Sequence, residues 1–422
     1  MKIKKRYCLA NKLPVVIASR AATEAVTVLA LVHTGSRLEK SAEAGVSHFL
    51  EHMVFKGTVS WPTAEELTHV IDGLGADYNA YTSKEVTGFY IKAAAGHLKT
   101  ILKLLSEMLW QAKIDAAEMG REKEVIVQEI NMYEDNPMLF VEDVLESAMF
   151  PDHNLGKLIS GSRQSVRSLT KQQVHNYLDR FYHPQNMLLV VTGKIDNRTE
   201  KLIDKTFGRI RPAGILPKYD RVITKTNRPR VVVKFKKTEQ VQLALGLPAL
   251  PLRHRDMVIL ELLSVILGGN MSSRLFSRLR EREGLCYFVK SLVQAYENAG
   301  VLSVQAGLDK ARLPRAVKLI REELERVTKQ PIPAAEITKA KEYLRGKFLL
   351  ALEDSAGVAE FLGKQIMLEK KLETPEQVIR KLQKVTGAQL QRVARAIIKP
   401  KCYTLAMIGP FKDAKPFNSW LK

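Results

Sequence analysis

The stretch "SHFLEHMVFKGT", residues 47–58, decides how the chain is read. His48 and His52 stand four apart with Glu51 between them, inside an otherwise apolar segment. On an α-helix of about 100° per residue, positions i and i+4 lie about 40° apart, so the two imidazoles leave one face a turn apart. Two imidazoles so placed can grip one small cation. Glu51 lies about 60° from His48, where it reaches a water on such a cation without ligating the cation itself. Zinc lowers the pKa of its water to about 7, and a carboxylate beside that water can take its proton and pass it to a leaving amine.

Catalytic zinc usually takes three protein ligands and keeps one position open, so a third ligand has to come from elsewhere. The helix "EMGREKEVIVQEINMYED", residues 118–135, is rich in carboxylates. Glu122 and Glu129 are seven apart, within about 20° on one face. We read Glu129 as the ligand and Glu122 as a carboxylate orienting a histidine or the water, although spacing alone does not choose between Glu122, Glu124 and Glu129.

Composition bounds the class. A chain of 422 residues suggests two domains. With 45% hydrophobic and 26% charged residues it can bury a sizeable core. No apolar run approaches the roughly 18 residues that cross a bilayer. The basic start, "MKIKKRYCLANKLPVVIA", lacks the apolar segment of a signal peptide and reads as a strand over residues 13–18. Three distant cysteines, Cys8, Cys286 and Cys402, argue against a disulfide framework or a cysteine zinc site, and a cytoplasmic location is expected. A net charge of +21 favours anionic partners such as nucleic acid or acidic peptides. No aromatic or glycine-rich nucleic-acid motif accompanies its densest part, residues 218–237, so no nucleic-acid partner is expected.

The element pattern occurs twice. "VTVLALVH" (26–33) reads as a buried strand, followed by helices over 45–56 and after Trp61-Pro62, where Thr63 and Glu66 have capping-box spacing. Two strands, "DYNAYTS" and "EVTGFYIKAAA", then helices over 97–112, 115–134 and 137–149, and a strand "NMLLVVTG" complete the first half. In the second half "RVVVKFKK" and "VQLALGLPAL" are strands, helices follow over 256–268 and 272–283, and two strands lie near "CYFVKSLVQAY" and "AGVLSVQAGL". Helices then fill 312–398 and "CYTLAMIG" closes the half as a strand. We expect an α+β fold of two homologous units, each a mostly antiparallel sheet flanked by helices. The expected domains are 1–215, carrying the metal site, and 216–422, joined through the basic stretch 211–228.

At these residues the chain resembles the pitrilysin (insulinase-type) zinc metallopeptidases, whose histidine motif is inverted. "GVSHFLEHMVFKGT" resembles the family's metal helix throughout, and the match covers nearly the whole chain. The family's third ligand stands 77 residues past the second histidine, which is Glu129 here, and the step back to Glu122 also matches. "GADYNAYTSKEVTGFY" resembles the family's substrate-binding edge strand and its neighbour, placing Asn79 and Ala80 against substrate. "GGNMSSRLFSRLREREGLCYFVKS" resembles the segment with a functional arginine and tyrosine, which fall on Arg280 and Tyr287. The resemblance is to the short form, similar to bacterial processing-peptidase-like members and the mitochondrial processing peptidase catalytic subunit. It implies a zinc endopeptidase, one Zn2+ per chain, acting on extended or unfolded peptides inside a clamshell chamber that a homodimer completes. Arg280 and Tyr287 would then serve the partner's zinc. The rival reading is a non-catalytic structural or partner subunit of the same fold. ATP is not expected to be needed, because "LGGN" at 267–270 lacks the lysine and spacing of a phosphate loop.

Overall fold

The computed structural model describes residues 2–20, 22–210, 216–222 and 228–421. They form two compact units. The first contains a six-stranded sheet: β1 (Lys2–Cys8), β2 (Pro14–Ser19), β3 (Ala25–Val32), β4 (Asp77–Thr82), β5 (Thr87–Ala94) and β6 (Met187–Gly193). The strand order is β1-β2-β6-β3-β5-β4, with only the β2–β6 pair parallel. The second unit has five strands: β7 (Arg230–Phe235), β8 (Gln240–Pro248), β9 (Cys286–Ala295), β10 (Gly300–Asp309) and β11 (Thr404–Gly409). Their order is β7-β11-β8-β10-β9, with only β7–β11 parallel. With β1 set aside the two sheets have one topology, down to the single parallel pair. Mixed sheets and helices in two similar units are the α+β architecture that the repeated pattern implies.

Both faces of the first sheet are covered, which is why β3 reads "AVTVLALV" as a near-continuous apolar run instead of alternating. One face meets helices of the same half, α1 (Val46–Met53), α2 (Ala64–Gly73), α3 (Leu98–Trp110) and α4 (Ala116–Asp135), with Val28, Ala30 and Val32 packing with Phe49, Leu50, Leu102 and Leu105. On the other face Leu29, Leu31, Leu188 and Val190 meet Val358, Ala359 and Leu362 of the helix Ser355–Lys364. Ser355 pins that helix, its Oγ lying 2.7 Å from Thr27 Oγ1 and its carbonyl accepting from Thr192 Oγ1 at 2.7 Å. A Cβ on Gly363 would lie 2.5 Å from Leu31 Cδ1, so the backbone itself rests on the sheet there.

The second unit mirrors this arrangement. Helices Met257–Gly268, Leu313–Lys329 and Gly387–Ile397 bury one face of its sheet. The other face takes α5 (Pro137–Met149), whose Leu145 and Met149 press so closely on Gly246 of β8 that a Cβ there would sit 2.8 Å from each.

The two expected halves, 1–215 and 216–422, therefore exchange segments. Residues Met132–Gly156 belong to the second unit and Leu349–Leu372 to the first. Each sheet has two apolar faces and its own half's helices bury one, so a helix from the other half of the chain buries the second. Helical periodicity locates α5 but does not say which sheet it covers. The expected joint falls partly outside the described residues, at 211–215 and 223–227. The helix expected over 272–283 is π-helical across Phe276–Arg282, where Glu283 N–H donates five residues back to Arg278 O at 3.3 Å. Among the described residues no helix is long and apolar enough to cross a membrane.

Candidate metal centre

The helix α1 (Val46–Met53) begins at Gly45, whose φ of +92° favours glycine and whose Cβ, if present, would meet Ser160 O at 2.5 Å. Glu39, almost fully buried, accepts from Gly45 N–H at 2.7 Å and Ser47 N–H at 2.9 Å. Burial pushes the Glu39 carboxyl up to about 7, against the lowering effect of those hydrogen bonds. Ser47 Oγ lies 2.7 Å from the buried Tyr177 hydroxyl, which in turn lies 2.6 Å from Thr34 Oγ1. Val46, Phe49, Leu50 and Met53 are buried in the first core. That leaves His48, Glu51 and His52 on the remaining face.

Opposite stands α4 (Ala116–Asp135), which buries Met119, Ile126, Val127 and Ile130. Its Glu129 Oε2 lies 3.6 Å from His48 Nε2 and 3.6 Å from His52 Nε2. One ligand atom from each of the three residues falls within 4.8 Å of the others. Both 3.6 Å separations are too long for hydrogen bonds. They are close to the roughly 3.3 Å spacing of two ligand atoms on a tetrahedral zinc with bonds near 2.0–2.1 Å. Two nitrogens and a carboxylate oxygen also suit zinc chemically, so these residues fit that ion.

Glu122 is buried, accepts from His52 Nδ1 at 2.7 Å and pairs with Lys56 Nζ at 2.6 Å. The first contact fixes the tautomer, because a proton on Nδ1 leaves the Nε2 lone pair free for a metal. Burial pushes the Glu122 carboxyl up, but the hydrogen bonds from His52 and Lys56 outweigh it and hold it below the usual carboxylate range. Glu124, the third candidate that spacing left open, instead forks with Arg167 on the exposed side, with both contacts at 3.0 Å. Burial, and then the neighbouring His52, lower His48 to about 4, so its imidazole is neutral at pH 7.

Glu51 Oε2 is buried and has no hydrogen-bond partner among the described residues. Burial is also the main cause that raises its pKa. A bare carboxylate oxygen beside a donor cluster is positioned to take a proton from a water there. Sequence reasoning missed Lys56 and the Glu39 clamp. Lys56 stands four beyond His52, a helical spacing that could have flagged it, whereas nothing local ties Glu39 to α1.

Asn79 and Ala80 lie on β4, the open edge of the first sheet, beside α1. Ser83 N–H donates to Val86 O, so by the alternation of an antiparallel ladder Asn79 and Tyr81 face β5 while Ala80 faces the edge. Ala80 N–H is met there by Asn79 Oδ1 at 2.9 Å. Arg280 and Tyr287 meet in the second unit. The Arg280 guanidinium lies 4.8 Å from the centre of the Phe276 ring and 5.4 Å from that of Tyr287. The β9–β10 register skips from Phe288 to Cys286, making Tyr287 the extra residue of a bulge, and the residue is 76% exposed.

Comparison with known proteins identifies the family. Residues 14–163 match the model of the insulinase family (peptidase family M16), and residues 168–344 match the peptidase M16 inactive domain. An uncharacterized zinc protease of Bacillus subtilis is 33% identical over 96% of this chain and 98% of its own. The crystal structure of a protease from Helicobacter pylori superposes with a TM-score of 0.90 at 25% identity, over 96% of this chain and 99% of that one. A chain of Complex III from Candida albicans shares the fold alone, with a TM-score of 0.83 at 14% identity over 99% of each chain. The chain belongs to the pitrilysin (M16) family of zinc peptidases, in its two-domain form.

Proposed function

We propose that the protein is a zinc-dependent endopeptidase that cuts extended or unfolded peptides. The observation that carries this reading is the convergence of His48 Nε2 and His52 Nε2 on Glu129 Oε2, with Glu51 Oε2 left bare beside them. Zinc held there supplies Lewis acidity, polarising a carbonyl and lowering the pKa of water to about 7. Glu51 takes the proton of the attacking water at Oε2 and returns it to the leaving amine. Glu122 holds His52 in the tautomer that ligates, and Lys56 holds Glu122. No covalent enzyme intermediate is needed.

Substrate pairs with the open edge of β4, where Ala80 offers its N–H and C=O and the Asn79 amide gives way. The two edges of the first sheet differ in a way that favours this use. β1 carries Lys4, Lys5 and Arg6, charges that discourage pairing, whereas β4 reads "DYNAYT" with one charge at its start. Backbone pairing demands an extended segment and reads little of its sequence. Tyr287, exposed at its bulge, donates to the scissile carbonyl oxygen as charge grows on it, while Arg280 stacks behind its ring. In this reading the protein is a cytoplasmic homodimer, and Arg280 and Tyr287 of one protomer serve the metal centre of the other.

The test is cleavage of an unstructured peptide library, with metal content measured on the same sample. One equivalent of zinc and cleavage that stops on chelation and returns with zinc are expected. A zinc-loaded chain that cleaves nothing would favour the non-catalytic reading instead. Mixing Glu51→Gln with Arg280→Ala protomers tests the shared site. Partial recovery of activity is expected, and no recovery despite verified subunit exchange would place each site within one protomer.

A further inference from the structure

α1 poses an electrostatic problem that its own residues do not solve. The end of a helix where backbone N–H groups are unpaired carries roughly half a positive charge, and the effect is concentrated in the first turn. Gly45 is the residue before the helix, and His48 is only the third residue within it. A dication bound to His48 is therefore held close to a positive terminus, which opposes it. An eight-residue helix cannot move the ligand far from that end.

Glu39 lies against this terminus. Its two carboxylate oxygens take separate N–H groups, Gly45 N–H on Oε2 and Ser47 N–H on Oε1. Glu39 is only 7% exposed, so its charge acts across protein instead of water. It stands six residues before Gly45, outside the helix, and it touches neither histidine in any hydrogen bond or ion pair that involves the ring nitrogens. Its position suits a counter-charge for the helix end. A Ser or Asn at the cap would satisfy an N–H as well without the cost of burying an anion.

We propose that Glu39 is a positioning residue of the metal centre: its buried carboxylate cancels the positive end of α1 and lets a divalent cation bind in the first turn. The inference rests on the metal reading above. It adds a residue that neither ligates nor contacts substrate and assigns it an effect on metal affinity.

Glu39→Gln removes the charge and keeps the size. Zinc affinity is measured by competition with a chromophoric chelator at pH 8, above the value of about 7 to which burial raises the Glu39 carboxyl, so that the group is charged; the fold is followed by circular dichroism and thermal unfolding of the metal-free chain. Zinc binding at least tenfold weaker is expected in the variant, within the range that residues behind the ligands command. Tyr177→Phe is the structural control, since it cuts the hydroxyl link to Ser47 at the same helix end without changing any charge. It is expected to bind zinc as the wild type does. A folded Glu39→Gln chain with wild-type affinity, or equal losses in the two variants, would overturn the proposal. Should Glu39→Gln not fold, Glu39→Asp and Glu39→Asn, equal in size and different in charge, ask the same question. A tenfold gap between them supports the counter-charge and equal affinities refute it. A wild-type chain that binds no zinc fails earlier and removes the metal reading itself.

Discussion

The helix that follows the second common strand occurs in both units, and its two copies have opposite contents. In the first unit it is α1, "VSHFLEHM", with five of eight residues buried and three chemical groups on the free face. In the second it is Met257–Gly268, "MVILELLSVILG", with nine of twelve buried, Leu260, Leu262, Leu263 and Leu267 among them at no measurable exposure. The topology of the two sheets is the same, including the single parallel strand pair. The fold therefore does not require a polar helix in this slot. Where one occurs, the buried carboxylates of Glu39 and Glu122 are arranged around it. Fold and chemistry are separable here, and the same slot holds a candidate metal centre in one unit and core in the other.

Glu51→Gln is expected to lower peptide hydrolysis by about 10²- to 10⁴-fold, the usual contribution of a general base, while zinc content stays at wild type. A variant with near wild-type turnover would take the base role from Glu51. Leu263→Ala, in the equivalent helix, should cost about 2–5 kcal/mol of stability as a buried cavity, with zinc affinity unchanged. A chemical denaturation series read beside a zinc titration checks both halves of that statement. Glu122→Gln should weaken zinc binding about 10- to 100-fold, because the anionic acceptor that holds the Nδ1 proton of His52 becomes a neutral amide. Unchanged affinity in that variant would mean the tautomer is set by something else. Ala80→Pro removes the edge-facing N–H of β4. It should raise KM several-fold, the value of about one net hydrogen bond, and leave zinc binding alone. An unaltered KM would move the substrate off this edge.

Much of this was legible in the sequence, for reasons that differ by residue. His48, Glu51 and His52 share one short helix, so the 3.6-residue period is enough to put them on one face. Glu129 lies on another helix, and its convergence on the histidines depends on packing that no local period encodes; only the family resemblance singled it out over Glu122 and Glu124. The duplicated architecture was legible because the order of strands and helices repeats. The exchange of α5 and Ser355–Lys364 was not, since both read as ordinary amphipathic helices and nothing in their period names the sheet they cover. The same holds for Glu39, whose role depends on the chain returning to place it under Gly45 and Ser47. The bulge that exposes Tyr287 is a one-residue slip in the β9–β10 ladder, and strand propensity is blind to register.

Anomalous diffraction at the zinc edge, from crystals grown with zinc at neutral pH, locates the metal and its ligands. A single peak is predicted within about 2.0–2.2 Å of His48 Nε2, His52 Nε2 and a Glu129 carboxylate oxygen, the distances of a catalytic zinc. A peak bound by other residues, or none between α1 and α4 with zinc in excess, would contradict it.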